Sequence, residues 1–359
     1  MDIDVIKACL ANLVDDNTGR DFVAGKSIKH IQLEGTQLKL ELLLGYPAQS
    51  QYENLAQQVR NALLMIYPQL KVEVHISQKI VAHSVQHKLD LLAGVKNIIA
   101  IASAKGGVGK STTAVNVALA LAAEGAKVGL LDADIYGPSQ PQMLGLRGQP
   151  EIVDGKIVPL RAFGIQAMSI GLLVDSDTPM IWRGPMATGA LEQLLRDTLW
   201  QDLDYLIIDL PPGTGDIQLT LAQKIPVTGA IIVTTPQEMA LLDARRGLKM
   251  FEKVSIPILG VVENMGLHRC SQCGHEEAIF GDGGGESICR QYGVRFLGSL
   301  PLELSIRSDS DAGCPSVVAN PRSAVALVYF AIARKIAGAI SNLHQDHSRK
   351  FPNIVVSKT

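Results

Sequence analysis

The sequence predicts a doubly wound α/β domain with a mostly parallel sheet, preceded by a small N-terminal α+β domain. Three observations point there. From residue 97 onward, short apolar runs alternate with segments of helical periodicity, the order that builds a parallel sheet. At one junction a glycine-rich loop stands between the strand Ile98–Ser103 and a helix that starts at Lys110. Before residue 79 the order is different: helix, two adjacent strands, helix, strand.

Bulk properties are those of a globular protein. The chain has 359 residues, enough for two or three domains with a buried core. Apolar residues make up 47% and charged residues 19%, and the net charge of −2 gives no electrostatic reason to expect nucleic acid or an anionic membrane as partner. The longest apolar run near the C-terminus, residues 324–333, stops at Arg334 and Lys335, short of the roughly 20 residues that a membrane span needs. The start, Met-Asp-Ile-Asp, lacks the basic start and apolar stretch expected of a signal peptide. A cytoplasmic location is expected, where five cysteines (Cys9, Cys270, Cys273, Cys289, Cys314) do not form a disulfide framework.

The elements follow in order. Val5, Ile6, Cys9, Leu10 and Leu13 share one face of a first helix. Ser27–Leu33 and Gln37–Leu44 read as a hairpin turning at Glu34-Gly35-Thr36. A helix over 51–66 and a strand over 71–76 complete a domain spanning 1–78. Residues 79–96 read as a partly helical connector. Within it His83 and His87 stand four apart, and a solvated helical face outweighs a metal site because no third ligand is near. The main domain, 97–342, has candidate strands at 98–103, 127–132, 166–170, 205–209, 229–234, 258–262 and 295–300. Its helices are expected at 110–124, 186–199, 217–224, 237–254 and 323–340. Residues 343–359 form a polar tail.

The loop Ala104-Lys105-Gly106-Gly107-Val108-Gly109-Lys110-Ser111-Thr112 is the strongest chemical signal. Glycines let backbone N–H groups converge on phosphate oxygens, and the helix N-terminus adds unpaired donors and a favourable dipole. Lys110 pairs with the β- and γ-phosphates, Ser111 binds Mg²⁺ through its hydroxyl, and Thr112 is a further contact. Carboxylates at the carboxyl ends of strands face the ligand crevice of such a sheet, which singles out Asp132, Asp134 and Asp209. The arrangement resembles the phosphate site of P-loop NTPases, and a P-loop NTPase domain is expected.

Alanine stands at 104 where strict spacing wants glycine, and an extra lysine, Lys105, precedes the glycines. That form resembles the deviant Walker A motif of the family of MinD, ParA, nitrogenase iron protein and the arsenite ATPases. The resemblance implies that Lys105 reaches across a homodimer to the partner's nucleotide. It also implies that Asp134 is the switch carboxylate acting on the attacking water, with Asp132 nearer the Mg²⁺ shell. Asp209 is then the Walker B carboxylate. Asp209-Leu-Pro-Pro-Gly213 follows, and the Gly213 N–H can meet the γ-phosphate. Asn264 resembles the amide that reads adenine, and Pro301-Leu302-Glu303 a second base-side segment. With no guanine motif of the Asn-Lys-x-Asp type, ATP is the expected nucleotide.

Cys270-Ser-Gln-Cys273-Gly274-His275 places two sulfurs close together. A redox disulfide lacks its usual context here. On residues alone, structural zinc, with His268 or His275 as further ligands, and an iron–sulfur cluster shared by two subunits are equal readings. The longer motifs shift this balance. Asp132–Ser139, Trp182-Arg-Gly-Pro185, Asp209–Asp216, Val262-Glu-Asn-Met265, the cysteine pair and Ile279-Phe-Gly281 together resemble the Mrp/ApbC subfamily over residues 97–340. The resemblance implies an ATPase that carries a [4Fe-4S] cluster on Cys270 and Cys273 and passes it to apo iron–sulfur proteins. Cys9, Cys289 and Cys314 match no cluster position and read as buried small hydrophobes. The N-terminal domain is similar to iron–sulfur assembly domains but has Leu44-Gly-Tyr-Pro-Ala-Gln-Ser where those often carry a cysteine, so docking or regulation is expected of it. A MinD/ParA-like positioning ATPase and a zinc-stabilised ATP-binding regulatory module are the alternatives. The first needs a membrane or DNA surface, and the second would retain zinc and show no turnover.

Overall fold

The computed structural model describes residues 2–86, 89, 91–173 and 184–346. His87, Trp182, Arg183 and tail residues 347–359, all named above, lie outside them.

The N-terminal unit starts with α1 (Ile3–Leu10), which buries Ile6, Cys9 and Leu10 and leaves Val5 exposed. A three-stranded sheet follows: β1 (Ile28–Glu34), β2 (Gln37–Leu44) and β3 (Lys71–Gln78). The β1–β2 hairpin pairs Glu34 with Gln37, and Gly35 takes the positive φ of 61° that so tight a turn demands. β2 alternates buried leucines with outward polar residues, as a strand with one covered face should. The crossover helix α2 (Tyr52–Ile66) covers that face and brings β3 parallel to β2.

The main sheet has eight strands. Its members are β4 (Val95–Ala102), β5 (Val128–Asp132), β6 (Leu160–Ala162), β7 (Ile165–Ser169), β8 (Leu203–Asp209), β9 (Gly229–Thr234), β10 (Ile258–Glu263) and, after the short β11 (His268–Arg269) and β12 (Glu276–Glu277), β13 (Phe296–Ser299). The order is β6-β7-β5-β8-β4-β9-β10-β13, parallel throughout except for edge strand β6. β5, β8 and β9 are buried at every residue, because helices cover both faces. On one face lie α3 (Lys110–Ala123), α4 (Gln140–Met143), and, beyond the intervening helices, α9 (Leu304–Asp311), α10 (Ser316–Ala319) and α11 (Ala324–Ser341). The other face carries α5 (Gly184–Asp197), α6 (Asp216–Lys224), α7 (Glu238–Lys253) and α8 (Gly284–Tyr292). The fold class expected from the sequence is therefore observed.

Three expectations need correction. β6 is absent from the expected strands. It joins β7 through a two-residue turn, Phe163-Gly164, with both residues at positive φ (48° and 84°). The described part of the connector contains no helix. His83 is buried rather than solvated: its Nδ1 lies 2.9 Å from Asn97 Oδ1, and it bridges to Gln345. Asn97 donates to the Val81 and Asp204 carbonyls, so it straps the extended connector along the amino-terminal edge of the sheet.

α11 is, by length and composition, apolar enough to cross a membrane. Here it packs on α3 and buries Tyr329, Ile332, Ala333 and Ile336. At the C-cap of α3, Glu124 is fully buried; Ser50 N (2.8 Å) and Oγ (2.7 Å) donate to its carboxylate, as does Arg334 of α11 (2.5 Å). Removing one member of such a buried pair costs about 3–5 kcal/mol, because the other charge stays behind. The helix that starts at the glycine loop thus ends on a polar lock to the N-terminal unit.

Candidate nucleotide and cysteine sites

The glycine loop connects β4 to α3 at the carboxyl edge of the sheet. β4 lies between β8 and β9, where the strand order reverses, and this is where open α/β sheets bind ligands. Gly107 and Gly109 have φ near +80°, a conformation that glycine takes freely. A Cβ on Gly109 would stand 2.1 Å from Asn264 Nδ2. Gly109 is also the N-cap of α3, and no side chain caps that helix. The first N–H groups of α3 are left to an outside acceptor.

Asp209 ends β8 and is fully buried; Lys110, itself buried, makes an ion pair with it. Lys110 Nζ also donates to Ser111 Oγ (3.1 Å) and lies 3.8 Å from Asp134. Sheet register sets Asp132 directly beside Asp209. Burial, and then the Asp209 charge, push the Asp132 carboxyl up to about 7, against the pull of backbone donors and Lys110. Burial also raises Asp134, with Lys110 opposing. Asp132 accepts from Asp134 N (3.2 Å), Ser139 N (3.0 Å), Gln140 N (3.0 Å) and Ser169 Oγ (3.1 Å). Both of its oxygens are thereby taken up by N–H groups of its own loop and by the end of β7. The sequence reading placed Asp132 nearer the Mg²⁺ shell, named Ser139 only as the end of a motif, and did not mark Gln140 or Ser169.

Other residues lie as follows. Gly213 donates its N–H to Ser103 O (2.8 Å), so contact with a γ-phosphate requires that turn to change. Gly106 and Lys105 are exposed at the rim, and Val108 is buried. Asn264 Nδ2 donates to Val108 O (2.9 Å), and Met265 turns the chain sharply at φ 60°. Beside them a cavity of about 400 Å³ is lined by Thr112, Met143, Asn264, Pro301, Glu303 and Arg307. Asn264 and Glu303 thus wall one space next to the phosphate loop, roomy enough for a heterocyclic base.

The cysteines form a separate, open site. After β10 the short strands β11 and β12 pair as a hairpin with Cys270 and Cys273 in its turn. Cys270 N donates to His275 O, and Gly274 N to Cys270 O, both at 2.9 Å; Gly274 closes the turn at φ 72°. Cys270 is half-buried and Cys273 exposed. The backbone N–H groups of Cys273 and Gln272, and then the Cys273 side chain, hold the Cys270 thiol below the usual range. His268 does not join the pair: its Nδ1 meets Leu302 O (3.1 Å). Among the described residues no group of three or more His, Cys, Asp or Glu side chains is placed to hold a metal ion. Cys9 and Cys289 are buried as expected, whereas Cys314 is only half-buried.

Residues 94–337 match the family described as NUBPL iron-transfer P-loop NTPase, and residues 3–76 match the iron-sulfur cluster assembly protein domain. The chain belongs to the NUBPL iron-transfer P-loop NTPase family. An iron-sulfur cluster carrier protein of Escherichia coli K12 is 48% identical over 94% of this chain and 92% of its own length. One from Pseudomonas fragi is 60% identical over 73% of this chain and 92% of its own. Among solved structures, a nucleotide-binding protein from Archaeoglobus fulgidus in complex with ADP is 38% identical, covering 61% of this chain and 87% of that one at a TM-score of 0.55. The resemblance read from the motifs is thus borne out. The match to the NUBPL family runs from the strand before the glycine loop into α11 and includes both the phosphate site and the cysteine hairpin.

Proposed function

We propose that the protein is an ATP-binding and ATP-hydrolysing carrier of an iron–sulfur cluster. It acts as a homodimer that bridges a [4Fe-4S] cluster and passes it to apo iron–sulfur proteins. The observation that carries this reading is the cysteine hairpin: two accessible sulfurs, one held toward thiolate, with no third ligand beside them among the described residues. A pair is half of a Cys₄ set, and twofold symmetry completes it with the same pair from a second copy. The names of the relatives from E. coli and P. fragi support cluster carriage.

A second copy has a surface to meet. Exposed apolar side chains follow the carboxyl ends of several parallel strands: Tyr136 after β5, Met239 and Leu242 after β9, Leu267 and Ile279 after β10, Leu304 after β13. They share the edge of the sheet with Lys105, and a dimer formed there would bury them and bring Lys105 toward the other copy's phosphates. In that position the lysine acts as a charge clamp, as an arginine finger does.

The residues present fit a magnesium nucleotide. α3 offers uncapped N–H groups, Ser111 and Asp209 stand together, and buried oxygens of Ser103 and Ser139 lack partners. Ser111 and Asp209 would hold Mg²⁺, Asp209 directly or through water, and the ion would supply positive charge to the phosphate oxygens. Lys110 neutralises the β- and γ-phosphates, Thr112 adds a contact, and Asn264 with Glu303 orients the adenine. Asp134, held near Lys110 by the loop that Asp132 fastens, positions the attacking water.

Anaerobic reconstitution with iron and sulfide tests the carrier reading. About four irons and four sulfides per dimer are expected. A visible chromophore should form and be lost in the Cys270→Ala/Cys273→Ala protein. Tightly held zinc with no uptake of iron would make the pair a structural metal site and end the carrier reading, while leaving the ATPase assignment intact.

A further inference from the structure

We infer that Gln140 is a positioning residue for the metal side of the nucleotide site, its side-chain amide joining the glycine-loop helix to the Walker B carboxylate. Gln140 stands at the start of α4 and is buried. Its Nε2 donates both to Ser111 O (3.0 Å) and to Asp209 Oδ2 (2.9 Å). Both neighbours are acceptors, so the amide must face them with its nitrogen, and the orientation of the group is fixed by chemistry. Its Oε1 is then the free end, and it is buried without a partner.

An unpartnered buried acceptor is costly, so a buried amide oxygen ordinarily finds a donor. The donor that belongs here is a water in the shell of a divalent cation. Mg²⁺ keeps several of its waters, and their protons are strongly polarised. The two groups that Gln140 touches, Ser111 and Asp209, are those assigned to that ion. Asp209 is held on one oxygen by Lys110 and on the other by Gln140, so its carboxylate cannot rotate. The Gln140 backbone N–H is fastened to Asp132, which keeps the amide at this place. Gln140 therefore orients Asp209 and accepts from a metal-bound water, without touching the phosphates.

This inference rests on the nucleotide-site reading, and the experiment separates the two. ADP affinity is measured by calorimetry with excess Mg²⁺ and again with EDTA, for the wild type, Gln140→Met and Gln140→Glu. Methionine keeps the shape but removes both the amide donor and the acceptor; glutamate keeps an acceptor oxygen toward the ion but sets its other carboxylate oxygen against Ser111 O and Asp209 in place of the donating nitrogen. The expected result is that Gln140→Met loses about tenfold of the tightening that Mg²⁺ gives to ADP, the size of one hydrogen bond to a charged group. Its affinity in EDTA should stay within about twofold, whereas Gln140→Glu, which adds a negative charge beside Asp209, should weaken ADP binding in EDTA and still show the Mg²⁺ effect. Equal losses with and without Mg²⁺, or an unchanged Mg²⁺ effect in Gln140→Met, would reduce Gln140 to loop packing and overturn the inference. A wild-type protein that binds no ADP in either buffer would overturn the nucleotide site itself.

Discussion

The phosphate loop and the cysteine hairpin each follow a parallel strand, and they are built in opposite ways. At the first, Lys110, Asp132 and Asp209 are buried and every charge is met by a named partner. At the second, the sulfurs stand at the surface and the support comes from backbone N–H groups within one short turn. A site that must stabilise charge on a transferring phosphoryl group gains from fixed dipoles in a dry setting. A site that takes up and releases a cargo must stay open to a partner. The two are joined where Leu302 N donates to Leu267 O (2.7 Å) and His268 meets Leu302 O. The segment walling the base cavity is therefore hydrogen-bonded to the root of the hairpin.

The hardest break of this comparison removes the central charge of the buried site. Lys110→Ala should lower ATP turnover on the order of a hundred- to a thousandfold, the usual effect of removing a preorganised donor. The alkylation rates of Cys270 and Cys273 should stay as in the wild type, because no cysteine depends on Lys110. Phosphate release and thiol labelling on one preparation check both halves. Normal turnover would remove the phosphate-site assignment.

A milder break strains the loop without changing its charges. Gly109→Ala places a Cβ 2.1 Å from Asn264 Nδ2 at a φ of 80°. The left-handed conformation alone costs about 1–2 kcal/mol for a residue with a side chain. ADP binding should weaken by about tenfold or more, because the strain falls on the glycine loop and the base-side amide together. Gly106→Ala sharpens this test, since nothing lies within 4 Å of a Cβ there. That variant should keep wild-type thermal stability, so any loss of ADP affinity in it reports space needed by the ligand. Equal ADP affinity in Gly109→Ala and wild type would show that the loop yields freely.

Much of this architecture was legible because it depends on local pattern. Gly107, Gly109 and Lys110 announce the phosphate loop by spacing alone, and the apolar runs ending at Asp132 and Asp209 announce the central strands. Edge strand β6 was missed because it is only three residues long and its turn residue Phe163 is not one that commonly takes positive φ. The burial of His83 was missed for another reason: its partner Asn97 lies within the next strand, and helical spacing with His87 suggested a different face. Gln140 carried no sign in the sequence, because a glutamine in a loop is ordinarily solvated. Only the fold brings it to Ser111 and Asp209. The polar lock of Ser50, Glu124 and Arg334 joins three distant segments and was illegible for the same reason.

The smallest effect lies in the open site and asks whether its turn does chemical work on its own. The Cys270 thiol is lowered first by the backbone N–H groups of Cys273 and Gln272, and these survive truncation of the second cysteine. In the cluster-free Cys273→Ala protein, the pH profile of Cys270 alkylation should therefore have its midpoint below that of an ordinary thiol, about 8.5. The sign follows from the direction of the shift. A lowered value means that the thiolate persists as pH falls and is lost only when pH passes the depressed value. Peptide mass spectrometry separates Cys270 from the buried Cys9 and Cys289. Gly274→Val in the same background should move the midpoint back up, because Gly274 closes the turn at φ 72° with open space around it, and a β-branched residue there opposes only the backbone conformation. A midpoint at the ordinary value in both proteins would mean that the hairpin presents its sulfurs without activating them, and that thiolate formation waits for the cargo.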